Sequence, residues 1–162
     1  MIVLALAPAC GYHVSGRGDL LPKNVKTIAV PAFGNNTTRY QLARLLPEDI
    51  AREFLSRTRY RVVADPSQAD AVLTGGVVNF VALPTTAAEG RATAVQAVVT
   101  LQLTLTDRAT GAVIWSRPGA EFRQNYEVAL DPQKYFDESS TAMIRLSQDV
   151  ARSVVSAVLE NF

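Results

Sequence analysis

The chain has 162 residues, of which 48% are hydrophobic and 19% charged, a composition that fits one globular domain and excludes a chain that is disordered as a whole. Its 16 basic and 15 acidic side chains leave a formal charge of +1, so no broad positive field favours a nucleic-acid partner. The single cysteine excludes an internal disulfide, and no apolar run approaches the roughly 18 to 20 residues of a membrane-spanning helix.

The N-terminal segment has the features of an export signal followed by an anchor. Residues 1–9, MIVLALAPA, form an uncharged apolar run that is typical of a signal-peptide remnant. The small residues Ala7 and Ala9 precede Cys10 in a pattern that resembles the lipobox of bacterial lipoproteins. We therefore predict that Cys10 is lipidated and that residues 10–24 form a flexible tether. The alternative is a free cysteine buried in a first strand.

The domain begins with a predicted strand and a predicted helix. Residues 25–33 are β-branched and apolar, which is typical of a buried strand. Residues 40–60 carry apolar side chains at helical spacing. The predicted apolar face comprises Ala43, Leu46, Ile50 and Phe54. Because Pro47 lacks an N–H donor, we expect it to kink or restart the helix, with Glu48 and Asp49 in the new first turn.

Two strands and a loop are predicted next. Residues 60–65 form a short apolar segment closed by a proline, and residues 69–83 form a longer one. The paired glycines Gly75 and Gly76 in the longer segment indicate a bulge or close packing. Residues 84–92 are rich in turn-forming and small side chains, so we predict a loop there.

The clearest pattern in the chain is a strict alternation that predicts a long strand. The apolar positions are Val95, Ala97, Val99, Leu101, Leu103 and Leu105. The positions between them are polar except for Val98, which predicts one face on a core and one polar face. Residues 107–111 predict a turn in which Gly111 takes a positive φ. The following segment predicts a hairpin partner with a bend or bulge at Pro118 and Gly119.

The chain ends in a predicted amphipathic helix over residues 136–162. Its apolar stripe comprises Met143, Leu146, Val150, Val154 and Val158, widened by Ile144, Ala151, Val155 and Leu159. Burying every apolar face requires a mixed sheet of four or slightly more strands with two helices packed on one face. We therefore predict a single α+β domain over residues 25–162.

Groupings that support catalysis are scarce in the sequence. His13 is the only histidine, and it lies in the predicted tether. Neighbouring acids such as Glu48 and Asp49 are better explained as helix-start carboxylates than as a hydrolytic pair. The sequence also has no cluster of histidine and cysteine that would bind zinc. We predict that the protein is not an enzyme and requires no cofactor or metal.

Arginine dominates the cations, since only three of the 16 basic residues are lysines. Arg57, Arg59 and Arg61 lie close together at a helix-to-strand corner, and Arg91, Arg117 and Arg123 flank or lie on the predicted hairpin. These residues are either solvated surface charges or guanidinium groups that bind an anionic ligand.

The polar face of the long strand is also open to two interpretations. It is either wetted by solvent, as is common for antiparallel sheets, or it lies against a partner. In the second case Val98, Trp115, Phe122 and Tyr126 are contact candidates.

Taken together, these segments resemble the LptE family of lipopolysaccharide-assembly lipoproteins. The resemblance is carried by CGYHVSGRGDLLPKNVKTIAVPAFGNNTT, REFLSRTRYRVV, ADAVLTGGV and LTDRATGAVIW. It implies a non-catalytic protein that is anchored through Cys10 on the periplasmic side of the outer membrane. Gly11 stands where an aspartate would imply retention at the inner membrane. The implied partner is the LptD β-barrel, which the protein helps to assemble and plugs during lipopolysaccharide transport.

The family's lipopolysaccharide-contacting residues do not map onto this sequence by a motif. Arg91, Arg117 and Arg123 are therefore candidates chosen for their charge and position alone. A second hypothesis is an outer-membrane lipoprotein adaptor that activates a cell-wall synthase or docks an export channel. A third is a periplasmic hydrolase.

Overall fold

The computed structural model describes the backbone of residues 21–88, 91–127 and 132–160, and side chains within residues 21–85, 94–125 and 141–160. The signal remnant, Cys10, His13 and all but the end of the predicted tether lie outside the described residues. The elements in chain order are β1 (Thr27–Ala29), β2 (Gly34–Asn35), α1 (Tyr40–Arg57), β3 (Arg61–Val63), β4 (Ala71–Ala88), β5 (Arg91–Asp107), β6 (Val113–Glu127) and α2 (Pro132–Leu159).

The strands form one mixed six-stranded sheet with the order β3-β1-β4-β5-β6, and β2 pairs with β4 beside β1. The short strands β1, β2 and β3 pair in parallel, with one another or with β4, whereas β4, β5 and β6 form an antiparallel meander. The predicted α+β class, with two helices and a mixed sheet, is confirmed. No helix in the described part of the chain is long and apolar enough to cross a membrane.

The core lies between the sheet and the two helices, which also pack against each other. All the predicted inward positions of β5, from Val95 to Leu105, are buried. The predicted faces of both helices are buried too, with the exception of Ile144, which is 41% exposed. Because burial of apolar area is the main favourable term in folding, the alternating strand and the helical stripes determine which side of the sheet the helices cover.

Helix α1 runs continuously through Pro47, so the predicted restart at this residue is wrong. Pro47 is itself buried in the helical face, and packing of that face offsets the one backbone hydrogen bond that a proline removes. Asp49 therefore lies in the middle of α1, where it is buried, and not in a first turn.

Three element boundaries also differ from the sequence-based expectations. Residues 84–88 and 91–92 belong to β4 and β5 and not to a loop, and β4 accommodates Pro84 beside a register shift. The first strand is shorter than predicted, because pairing stops at Ala29 and resumes only at Gly34. Helix α2 begins at Pro132, four residues before the predicted start, in the N-terminal position that proline favours.

The paired glycines of β4 allow close packing, one of the two predicted outcomes. A Cβ atom on Gly75 would lie 2.6 Å from the ring of Phe33 and 2.9 Å from Leu103. The bulge lies further on, between Val77 and Asn79. The predicted turn has Gly111 at φ 73°.

Candidate functional site

The three candidate arginines occupy different parts of the sheet. Arg117 pairs with Leu103 on the core side of β5, whereas Arg123 pairs with Val98 on the opposite side. Arg91 is the first residue of β5, seven positions from Val98, which corresponds to about 23 Å along the strand. The structure therefore does not bring the three into one anion-binding cluster.

The side of β4, β5 and β6 that faces away from the helices, called here the outer face, is lined by hydroxyl and amide groups. Thr74 Oγ1 donates to the Thr104 carbonyl at 3.2 Å, and the Thr104 and Ser116 hydroxyls are 3.3 Å apart. Gln96 Nε2 donates to Asn125 Oδ1 at 3.0 Å. These bonds join neighbouring strands and hold the polar side chains in a regular array. The predicted polar face of the long strand is thus present and exposed.

A shallow depression of about 210 Å³ lies within this face. It is lined by Thr74, Gly75, Gly76, Gln102 and Thr104. Because Gly76 lacks a side chain on this face, the surface of the β4 backbone is exposed at this point between polar groups. The outer face therefore presents polar side chains around a patch of exposed backbone.

The outer face becomes more apolar toward the far end of the ribbon. Val81 pairs with Val98 across the two strands, and Leu83 lies two residues beyond Val81. Arg123 lies beside Val98 and forms an exposed ion pair with Glu121, with N and O atoms 3.3 Å apart. This end offers a small apolar patch with one guanidinium at its border.

A second candidate region is a cleft of about 420 Å³ between β6 and α2. Its walls include Trp115, Arg117, Phe122, Val154 and Ala157. The indole Nε1 of Trp115 is buried and has no hydrogen-bond partner among the described residues. The cleft therefore combines apolar walls with an exposed guanidinium at its border.

Two of the aromatic residues predicted to contact a partner, Trp115 and Phe122, face the core and not the outer face. Trp115 pairs with Leu105 and is buried in the core, and Phe122 pairs with Val99 and packs against the core. The side chain of Tyr126 lies outside the described residues. The cause is a bulge at Gly119, where φ is 133° and the register shifts by one residue. The bulge lets Trp115 and Phe122 face the same side although they are seven positions apart, a separation that places residues on opposite sides of a regular strand.

The perturbed carboxylates of the domain support the fold. Asp70 Oδ2 accepts hydrogen bonds from the backbone N–H groups of Lys26 and Thr27, each at 2.9 Å, and these bonds lower the Asp70 pKa. The Thr110 backbone N–H, followed by the Asn24 side chain, lowers the pKa of Asp107. Both groups are thus held as anions at strand ends. Within the described ranges, no three His, Cys, Asp or Glu side chains are grouped to hold a metal ion.

A family model described as LptE, lipopolysaccharide-assembly, matches residues 25–158. The chain belongs to the LptE family. The match covers nearly the whole described domain and confirms the resemblance carried by the sequence segments. It assigns this LptE protein to lipopolysaccharide assembly. No curated protein matches the sequence.

Several solved structures share the fold of this LptE protein. A putative lipoprotein from Caulobacter crescentus has a TM-score of 0.58 at 18% identity, covering 83% of this chain and 87% of that chain. The PelC dodecamer from Paraburkholderia phytofirmans has a TM-score of 0.56 at 18% identity, with coverages of 83% and 87%. Uncharacterized lipoprotein B from Nitrosomonas europaea has a TM-score of 0.51 at 19% identity, with coverages of 93% and 96%. At these identities the likeness concerns the fold alone.

Proposed function

We propose that this LptE-family protein is an outer-membrane lipoprotein that forms a complex with the LptD β-barrel. In this proposal it aids assembly of the barrel and plugs its lumen while lipopolysaccharide passes to the cell surface. The observation that carries the proposal is the polar outer face, with its hydrogen-bonded hydroxyl and amide side chains on three long strands.

The chemistry of this face suits the inside of a barrel. The interior of a large transmembrane β-barrel is polar and wet, so a plug needs surfaces that exchange hydrogen bonds with side chains and water. Thr104 and Ser116 supply donors and acceptors, and the depression beside Gly76 leaves backbone accessible. The helices cover the other side of the sheet and keep the apolar core away from the partner.

Attachment to the membrane is proposed to occur through lipidated Cys10, on the periplasmic side of the outer membrane. Stable anchoring requires more than one acyl chain, as in the lipoproteins that the lipobox resembles. Mass spectrometry of the mature N-terminus tests this step. The proposal requires acylated Cys10 as the first residue, and an unmodified chain that retains Met1 contradicts it.

Lipopolysaccharide carries phosphates and acyl chains. The cleft bordered by Arg117 has a cationic group for a phosphate and apolar walls for an acyl chain. A guanidinium matches a phosphate in bidentate geometry, while Trp115 and Phe122 supply apolar surface for an acyl chain. Arg123 and Arg91 are proposed as separate contacts along the ribbon. Glutamate substitution of Arg117, or of Arg91 and Arg123 together, should weaken lipopolysaccharide binding relative to Arg145→Glu on the exposed side of α2. Unchanged dissociation constants for folded variants would remove these assignments.

Co-purification from detergent-solubilised outer membranes tests the complex itself. We expect a stable, stoichiometric complex with a large β-barrel protein. Recovery with a cell-wall synthase or an export channel, and without a barrel of this class, would favour the adaptor hypothesis. The family match favours lipopolysaccharide assembly over both the adaptor and the hydrolase hypotheses.

A further inference from the structure

Several cationic side chains lie at one end of the sheet, away from the outer face that is proposed to contact the barrel. Strands β1 and β3 are parallel and in register at Thr27 and Arg61, so the residues that precede them lie side by side. The Arg61 backbone N–H donates to the Lys26 carbonyl at 3.0 Å. The resulting basic end consists of Lys23, Lys26, Arg59 and Arg61, all of them exposed.

The basic end surrounds a cleft of about 400 Å³. Three of its cations line the cleft, namely Lys23, Lys26 and Arg59, together with Pro22 and Tyr60. The Leu21 backbone N–H donates to the Tyr60 hydroxyl at 3.3 Å, which fixes the start of the described chain against this cleft. The cations therefore lie where the N-terminal segment joins the domain.

Nearby acidic groups offset only part of this positive charge. None of the four cations forms an ion pair within 4 Å in the part of the chain that the structure describes. The carboxylates at this end are Asp70 and Asp107, and the Asp70 charge attracts Lys26 and Arg108. Arg108 adds a further cation here and donates to the Ala69 carbonyl at 2.6 Å. The end therefore carries a net positive charge on a chain whose formal charge is only +1.

The position of the basic end relative to Cys10 indicates what it faces. Leu21 is eleven positions after Cys10, and this length of chain spans at most about 40 Å when fully extended. A bilayer that holds Cys10 therefore lies within this reach of the basic end. Each exposed lysine or arginine side chain near an anionic lipid surface raises the binding constant for that surface by a factor of about five.

We propose that Lys23, Lys26, Arg59 and Arg61 dock onto the phosphate headgroups of the phospholipid surface to which the chain is anchored. Only the orientation toward that surface rests on the proposed anchor, because the charges and the cleft belong to the folded domain. The contact orients the sheet relative to the bilayer and shortens the effective tether. It is distinct from the outer face and from the cleft bordered by Arg117.

Vesicle co-sedimentation tests this contact without the anchor. The full chain carrying Cys10→Ser is mixed with vesicles of phosphatidylglycerol and phosphatidylethanolamine in equal amounts, or of phosphatidylcholine alone. We expect binding to the anionic vesicles that weakens as salt is raised. Lys23→Glu with Arg59→Glu should reduce this binding at least about tenfold. Equal binding to both vesicle types would overturn the proposal.

A control variant with the same change in net charge tests whether vesicle binding depends on the basic end or only on the total charge of the protein. Arg44→Glu with Arg145→Glu makes the same change in charge at exposed positions on α1 and α2 and should leave vesicle binding within about twofold of the parent chain. Equal losses in the two double variants would contradict a localised site.

Displacement by inorganic phosphate at constant ionic strength would indicate a site for a free anion and would also overturn the lipid assignment. Thermal unfolding checks that each variant is folded. Lys23→Gln with Arg59→Gln should lose less vesicle binding than the double glutamate variant, because it removes the positive charges without adding negative ones. None of these outcomes depends on the barrel complex.

Discussion

Ser147 on α2 donates a hydrogen bond of 2.6 Å to the carboxylate of Asp49 on α1, and both residues are buried. Arg52 binds the other carboxylate oxygen at 2.5 Å from the more exposed side of α1. This contact is a buried polar cross-link between the two helices, which an exposed hydrogen bond from Arg57 Nη1 to Ser156 Oγ at 2.7 Å also joins. It fixes how the helices are positioned relative to each other, because a buried carboxylate needs its partners.

Replacing Ser147 with alanine should lower the free energy of unfolding by about 1–3 kcal/mol, because one oxygen of a buried carboxylate loses its donor. Urea unfolding at neutral pH measures the change. Ser153→Ala on the same helix is the matched control, since the Ser153 hydroxyl is exposed and bonds only to a backbone carbonyl of its own helix. The control should stay within about 0.5 kcal/mol of wild type. Equal effects of the two substitutions would show that the cross-link is unimportant.

The adjacent glycines of β4 should respond in opposite ways to alanine. Gly75→Ala places a Cβ atom 2.6 Å from the Phe33 ring, so we expect a loss of about 1–3 kcal/mol from overpacking. At Gly76 the nearest atom to a new Cβ is the Gly34 carbonyl oxygen at 3.5 Å, which leaves room for alanine. Gly76→Ala should therefore be neutral or slightly stabilising.

Chemical denaturation of both single variants checks this contrast. Adding Phe33→Leu to the Gly75→Ala chain should recover part of the lost stability, because the ring is the group that clashes. A Gly75→Ala variant as stable as wild type would mean that Phe33 moves away at no cost.

Asparagine should be tolerated at Gly111 and not at Gly119. Gly111 has φ 73°, in the left-handed region that asparagine enters readily, whereas Gly119 has φ 133°, which side chains rarely adopt. We expect Gly119→Asn to cost about 1–3 kcal/mol and Gly111→Asn less than about 1 kcal/mol. Crowding of the Cβ atom does not distinguish the two sites, since no atom other than those of chain neighbours lies within 4 Å of its position at either glycine. Thermal unfolding of the two variants measures the difference, and equal losses would argue against the bulge geometry.

The Asp70 carboxylate should make folding stability depend on pH at the acidic end. Backbone N–H groups of Lys26 and then Thr27 lower its pKa below the usual 3.8, so the unfolded chain takes up the proton first as the pH falls. The stabilisation is therefore complete above the unfolded pKa and disappears as the pH falls through the folded one. Asp70→Asn should be less stable than wild type at pH 7, and the difference should narrow below pH 3.8. A constant difference down to about pH 2, measured by urea unfolding, would contradict this account.

Local patterns were sufficient to predict the main elements of the fold. The alternation in β5 and the apolar stripe of α2 each predict both the type of element and its buried side, and both predictions are confirmed. The buried role of Asp49 could not be predicted in the same way, because its partner Ser147 lies 98 residues further along the chain. The predicted restart at Pro47 is wrong for a related reason, since tertiary packing of α1 outweighs the local cost of a proline.

The candidate site was harder to predict because a single residue changes its geometry. Pro118 and Gly119 indicated a bulge, yet its consequence is that Trp115 and Phe122 both face the core. Charge and position made both Arg117 and Arg123 candidates for binding an anionic ligand, whereas strand pairing places them on opposite sides of the sheet. The register of β6 against β5 was therefore the missing information.

Site-specific photo-crosslinking in intact outer membranes tests the central proposal most directly. A photoreactive amino acid at Gln102, exposed on the outer face, is compared with one at Arg145, exposed on α2. The account predicts a crosslink from position 102 to a large β-barrel protein and little or none from position 145. Barrel crosslinks from position 145 alone, or none from either position in a lipidated and folded protein, would contradict it.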